Sequence, residues 1–167
     1  MQEATSKNTS LNQLPAIATL VDKHFGWKEG STNLDAGCGK YEKFTEFMRR
    51  VGIKNMRYDP YNRNSEYNKS TTSKLRESPA DTATISNVLN VISDHQKRAE
   101  LLVFVKNNVK KGGHIYITVY EGDQSGVGKI SKDDCWQANL KTVAYVDLVV
   151  AIFEKVSRKG KLIIATA

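Results

Sequence analysis

The sequence predicts an α/β protein built on a mostly parallel, doubly wound sheet. Three observations carry this. A strand, a glycine loop, a helix and a second strand follow one another between Ser31 and Tyr58. Strands and helices go on alternating from Asp81 to Tyr120. The chain then ends on two β-rich runs around Arg158-Lys159-Gly160, which reads as a hairpin.

Residues 1–9 read as a loose polar tail, and 10–167 as one domain. Ser10 or Asn12 can cap a first helix running to about Phe25, with Leu14, Ile17, Ala18, Val21 and Phe25 at helical spacing. Pro15 fits its first turn and Gly26 its end. Ser31 to Ala36 is a short strand that runs straight into Gly37-Cys38-Gly39. An amphipathic helix follows, presenting Tyr41, Phe44, Phe47, Met48 and Val51, and Gly52 closes it. Asn55 to Tyr58 is the second strand, ended by Asp59-Pro60.

Residues 61–80 are polar and show no convincing strand or helix pattern, so they read as an irregular stretch with at most a short, weak strand. Asp81 to Asn87 alternates and is β-branched, so it reads as a strand, with a turn over Val88 to Ser93. Asp94 to Lys111 reads as a helix burying Leu101, Leu102, Val105 and Val109, stopped by Gly112-Gly113. His114 to Tyr120 is the clearest strand of the chain. Glu121 to Ser131 holds three glycines and reads as a mobile loop. Asp133-Asp134 can cap a long helix from Cys135 to Phe153. Phe153 to Ser157 and Lys161 to Ala165 form the final hairpin.

At 167 residues, one domain with a substantial core is expected. No apolar run reaches the ~18 residues of a membrane-spanning helix, and Val143 to Phe153 is broken by Asp147. Met1 to Ser10 lacks the apolar stretch of a signal peptide, so no membrane association and a cytoplasmic location are expected. Two cysteines, Cys38 and Cys135, cannot build a disulfide framework, in keeping with a reducing compartment. A net charge of +7 weakly favours a nucleic-acid partner, although the basic residues are scattered. His24, His95 and His114 lack paired ligand spacing, so no metal site is expected. Neither a P-loop nor a G-x-S-x-G elbow occurs.

The strongest chemical signal is Leu34-Asp35-Ala36-Gly37-Cys38-Gly39-Lys40-Tyr41. Two glycines spaced by one residue let the backbone turn sharply after a strand and approach a ligand, and the next helix presents its N-terminus there. Asp59 lies 24 residues after Asp35, near the offset at which a carboxylate meets a ribose. A ligand-free α/β turn is the bland alternative. The third glycine of a dinucleotide loop is replaced by Tyr41, which argues against NAD or FAD.

Leu34 to Gly39 resembles motif I of the class I S-adenosylmethionine-dependent methyltransferases, and the likeness extends from about Gln13 to Ala165. The resemblance implies a Rossmann-like fold whose last strand is reversed, and S-adenosyl-L-methionine as cofactor. It implies that Asp35, Ala36, Gly37, Cys38, Gly39 and Tyr41 cradle the methionine end. It implies that Asp59 and Pro60 meet the ribose, and that Ser86, Asn87, Val88 and Leu89 stand near the transferred methyl. The strings Tyr58-Asp59-Pro60-Tyr61, Ser86 to Ile92 and Val119-Tyr120-Glu121-Gly122 resemble small phage-encoded methyltransferases and those of DNA-modification clusters.

The chain also departs from the family pattern. Asn87 is followed by Val88-Leu89, so the Asn/Asp-Pro-Pro-aromatic tetrad of amino-methylating DNA enzymes is missing. Neither cysteine follows a proline, as a cytosine C5 nucleophile does. The family's third strand, with its adenine-contacting acid, is not recognisable in 61–80. Asn87, Tyr120 and Glu121 are the candidate catalytic residues, and Trp136 with Gln137 candidate walls of a substrate pocket. The expectation is a methyltransferase whose acceptor and oligomeric state the sequence leaves open, with nucleic acid slightly favoured over a small molecule. A cofactor- or nucleic-acid-binding protein that has lost methyl transfer is the alternative.

Overall fold

The computed structural model describes residues 8–131 and 134–167. Its centre is a six-stranded sheet in the order β2-β1-β3-β4-β8-β7. The strands are β1 (Thr32–Ala36), β2 (Lys54–Tyr58), β3 (Ala80–Ser86), β4 (Val109–Thr118), β7 (Lys155–Lys159) and β8 (Leu162–Thr166). β1 to β4 pair in parallel, and β8 alone runs against them, between β4 and β7. This is the class I methyltransferase arrangement expected from the sequence.

Alternation along the strands builds two layers. Leu34, Ala83, Ile85, Ile115 and Ile117 face one side. There they meet Leu75 of α3 (Ser65–Glu77), Leu102 and Val105 of α4 (His95–Asn107) and Val149 of α5 (Val146–Val150). Tyr116, Leu162 and Ile164 face the other side, under Ile17 and Val21 of α1 (Ala16–Phe25) and Phe44 and Met48 of α2 (Lys43–Arg50). No described helix is long and apolar enough to cross a membrane.

Several elements differ from the sequence reading. Residues 61–80 hold α3 instead of irregular chain. Asn64 caps it, accepting from the Tyr67 amide at 2.8 Å, and only Thr71 and Leu75 are buried. A stripe one residue wide gives almost no periodic signal. The chain thus passes from β2 to α3 with no strand between them, and β2 is an edge of the sheet.

The helix expected to reach Lys111 stops at Asn107. Val109 pairs with Ala80 instead, and a register shift beside that pair absorbs the following residues. The long helix expected from Cys135 to Phe153 is absent. Its expected cap Asp133 lies outside the described residues, and Asp134 and Asn139 hold φ of 55° and 54°, which no right-handed helix accommodates. In its place β6 (Trp136–Gln137) pairs with β5 (Lys129–Ile130) as a small hairpin, and a 3₁₀ turn over Thr142–Tyr145 leads into α5. α1 begins after Pro15, so neither Ser10 nor Asn12 caps it. The expected 1–9 tail falls largely outside the described residues.

Candidate functional site

The turn after β1 is laced to the end of β2. The Gly37 and Cys38 amides donate to the Tyr58 carbonyl at 2.8 and 3.3 Å. Gly37 and Gly39 hold φ of 79° and 66°, which side chains disfavour. A Cβ on Gly37 would also strike the Val88 side chain, and one on Gly39 the Ser10 hydroxyl. Ser10 accepts from the Lys40 amide at 3.1 Å, which anchors the N-terminal segment on this loop.

Asp59 follows β2 and is 4% exposed. Its Oδ2 accepts from the Gly39 amide at 2.8 Å and Asn62 Nδ2 at 3.1 Å. Its Oδ1 accepts from the Tyr61 and Asn62 amides, both at 2.9 Å. Four accepted bonds fill the carboxylate, so it organises the glycine loop and the turn after β2 directly.

Asp35 at the end of β1 is equally buried and far less well served. It accepts from Thr84 Oγ1 at 3.3 Å and Asn55 Nδ2 at 3.5 Å, both long. Burial is the main cause that pushes its carboxyl up to about 7, against those two hydrogen bonds. Asn33 positions both donors, giving Nδ2 to Asn55 Oδ1 at 2.9 Å and to Thr84 Oγ1 at 3.0 Å. The nearby cation, Arg57, is committed to Glu42 and to the Tyr67 hydroxyl.

These groups border a cavity of about 500 Å³ at the carboxyl ends of β1, β2 and β3. Asp35, Gly37, Gly39, Asp59, Asn87 and Val88 form its central wall. Cys38, Tyr41 and Pro60 border it as well, while Ala36 and Leu89 are fully buried in the core behind it. Burial, above all, pushes the Cys38 thiol up to about 12, so it is protonated at neutral pH and no nucleophile. Asn87 is exposed, with φ of 56°, and its amide donates to the Thr118 carbonyl at 2.9 Å. A non-glycine residue in that conformation at the rim of a cavity is the kind of strain that recurs at functional sites.

Tyr120, Glu121, Trp136 and Gln137 do not border this cavity. Glu121 Oε1 caps the 3₁₀ turn, accepting from the Thr142 amide and hydroxyl at 2.8 Å each, and Oε2 pairs with Lys161. Those bonds hold its carboxyl down at about 2. Gln137 Nε2 donates to the Tyr120 carbonyl at 2.8 Å, and its Oε1 accepts from Asn90 at 3.0 Å. The Arg98 guanidinium lies 5.6 Å from the Trp136 ring and 5.4 Å from that of Tyr145. The segment after β4 folds back onto the start of α4, and Asn139 Nδ2 pins it by donating to the Val127 carbonyl at 2.9 Å. The expected flap with a tryptophan wall is a hairpin stapled to the chain that follows β3 and β4, outside the cavity lining.

Sequence reading missed the far walls: the chain from Thr9 to Pro15 on one side, and Lys97, Glu100, Leu101 and Phe104 of α4 on the other. Leu101 and Phe104 carry an i, i+3 signal that reads equally well as core. Nothing in the sequence marks Lys97 or Glu100.

A family model described as a methyltransferase domain matches residues 12–147. The chain belongs to that methyltransferase family. As a class I methyltransferase it uses S-adenosylmethionine as methyl donor. Solved structures of other methyltransferases share the fold. A 1,6-didemethyltoxoflavin-N1-methyltransferase of Burkholderia thailandensis, solved with 1,6-didemethyltoxoflavin and S-adenosylhomocysteine, is 14% identical with a TM-score of 0.65. The match covers 98% of this chain and 78% of that one. A SAM-dependent methyltransferase of Methanosarcina mazei is 14% identical, TM-score 0.62, over 93% and 97% of the two chains. A 16S rRNA N2 G1207 methyltransferase of T. thermophilus, solved with AdoMet and guanosine, is 12% identical, TM-score 0.57, over 94% and 44%. No curated protein matches this methyltransferase.

Proposed function

We propose that the methyltransferase holds S-adenosylmethionine with its methionine end on Asp35 and the Gly37–Gly39 loop, and that its acceptor is a small molecule reached beside Asn87. The observation that carries this is Asp35: a buried carboxyl in the cavity wall with two long hydrogen bonds and no cation of its own. A carboxylate so placed fits an α-ammonium group. The two glycines fit as well, because they leave the loop free of Cβ atoms where backbone must approach a ligand.

The cofactor supplies a methyl group already activated on a sulfonium. The chain then has to bind, orient and exclude water. Asp35 fixes the ammonium. Asp59 shapes the loop rather than taking up the ribose through a free oxygen, since its four bonds are internal. The Asn87 amide side chain borders the reacting end and can orient an N–H or O–H of the acceptor.

The lining charges support a small acceptor. Lys43 and Lys97 are balanced there by Asp35, Asp59 and Glu100, so the mouth is no basic track for a phosphate backbone. The Asn-Pro-Pro-aromatic tetrad of amino-methylating DNA enzymes, which act on an extruded base, is missing. The finer likeness to small phage-encoded methyltransferases, and a cytoplasmic setting, remain part of this proposal on sequence grounds.

Incubation with methyl-labelled S-adenosylmethionine and separate DNA, RNA, protein and small-molecule fractions tests it. Label is expected in the small-molecule fraction. Label in nucleic acid alone overturns the acceptor half of the proposal, and no transfer to any fraction overturns the catalytic half.

A further inference from the structure

A second cavity adjoins the one at the strand ends. It measures about 290 Å³ and lies on the outer face of α2, walled by Leu14, Lys43, Glu46, Arg49 and Arg50. The four α2 residues fall at i, i+3, i+6 and i+7, so they form one stripe. Phe44 and Met48, on the opposite side of the helix, are buried against the sheet. Lys43 borders both cavities, and Leu14 stands between Gln13 and Pro15, which border the first. The second cavity is thus a groove leading outward along α2, ~10 Å long from Lys43 to Arg50 at the rise of a helix. Lys43, Arg49, Arg50 and Glu46 make no ion pair among the described residues. Three cations stand against one carboxylate, where the first cavity is balanced.

We infer that this groove holds a phosphate monoester carried by the methyl acceptor, with Arg49 and Arg50 as its anchors and Lys43 at the junction with the reaction cavity. This rests on the reading that the first cavity transfers a methyl group to a small molecule. Guanidinium forks match phosphate oxygens with two parallel hydrogen bonds each. The surplus of two positive charges suits the charge of about −1.5 to −2 that a phosphate monoester carries near pH 7. Leu14 closes one side with an apolar wall, and a site partly shielded from water strengthens such pairs. The ~10 Å reach is long enough for one phosphoryl group and the linker behind it, and too short to track a nucleic-acid strand. The balanced first cavity then takes the uncharged, reacting part of the acceptor.

Two measurements on the full chain test this. The first follows backbone amide shifts as inorganic phosphate is titrated into the protein saturated with S-adenosylhomocysteine. Saturable shifts should centre on α2 and Leu14. The double variant Arg49→Ala, Arg50→Ala should weaken phosphate binding about ten-fold or more. Its melting temperature should be unchanged, because both side chains are exposed. The double variant Lys155→Ala, Lys159→Ala, which removes two exposed cations from the β7 edge, should bind phosphate as the wild type does. No saturable shift on α2, or an equal loss in both double variants, overturns the assignment. The second measurement repeats methyl transfer to the small-molecule fraction after that fraction has been treated with alkaline phosphatase. Transfer should fall about ten-fold or more. Undiminished transfer overturns the phosphate acceptor while leaving the small-molecule reading intact. No label in the untreated fraction removes that reading, and this inference with it.

Discussion

The Gly39 amide donates to Asp59 Oδ2 at 2.8 Å, and this bond ties the turn after β1 to the turn after β2. The same carboxylate holds the Tyr61 and Asn62 amides. One buried acid therefore sets the shape of both loops that border the cavity.

Asp59→Asn should thus act on the fold as well as the ligand. An amide puts an N–H where Asp59 now only accepts, and leaves buried donors unpaired at about 1–3 kcal/mol each. Both melting temperature and S-adenosylhomocysteine affinity should fall. A variant of normal stability that loses only affinity would mean that Asp59 serves the ribose directly.

Asp35 makes stability and binding depend on pH in opposite senses. Its carboxyl is raised from 3.8 to about 7, so the folded state holds that proton more tightly than the unfolded chain does. The stability associated with the raised value is fully present below pH ~4 and is lost as pH rises through ~7. Asp35→Asn should then stabilise the free protein by a few kcal/mol (roughly 1–4) at pH 8 and hardly at all at pH 4. With the cofactor's ammonium on Asp35, as proposed, binding needs the ionised form. Affinity should rise with pH from about 5 to 7, by at most about ten-fold per unit, and level off above. Thermal melts and titrations across that range check both signs.

Trp136 packs against Arg98, away from the cavity wall. Trp136→Ala should cost about 2–4 kcal/mol of stability, somewhat less than for a fully buried tryptophan. Cofactor affinity of the folded fraction should not change. Lost transfer at full stability would restore the substrate wall expected from the sequence.

The sheet and the glycine loop were legible because each depends on local pattern. Ile115 and Ile117 lie in a β-branched and aromatic run, and Gly37 and Gly39 sit where two left-handed residues are needed. α3 was hidden because two residues, Thr71 and Leu75, do all its burying. The segment from Cys135 to Phe153 misled for the opposite reason. Its apolar residues fit a helical period, but the Asn139 bond to Val127 and the Glu121 cap on Thr142 impose another path. Those contacts join residues 12 and 21 positions apart, which no local pattern encodes. The cavity's near wall could be read from the motif around Asp35. Its far wall on α4 could not, because Lys97 and Glu100 look like any solvated helix pair.

Every role assigned to these residues depends on the cavity behind Gly37 being the cofactor site. Calorimetric titration of S-adenosylhomocysteine into the wild type and into Gly37→Val measures this most directly. A Cβ at φ 79° is strained and would meet the Val88 side chain, so the variant should lose binding while circular dichroism shows a folded protein. One equivalent should bind to the wild type and none to the folded variant. No binding by the wild type, or equal binding by both, would contradict the assignment.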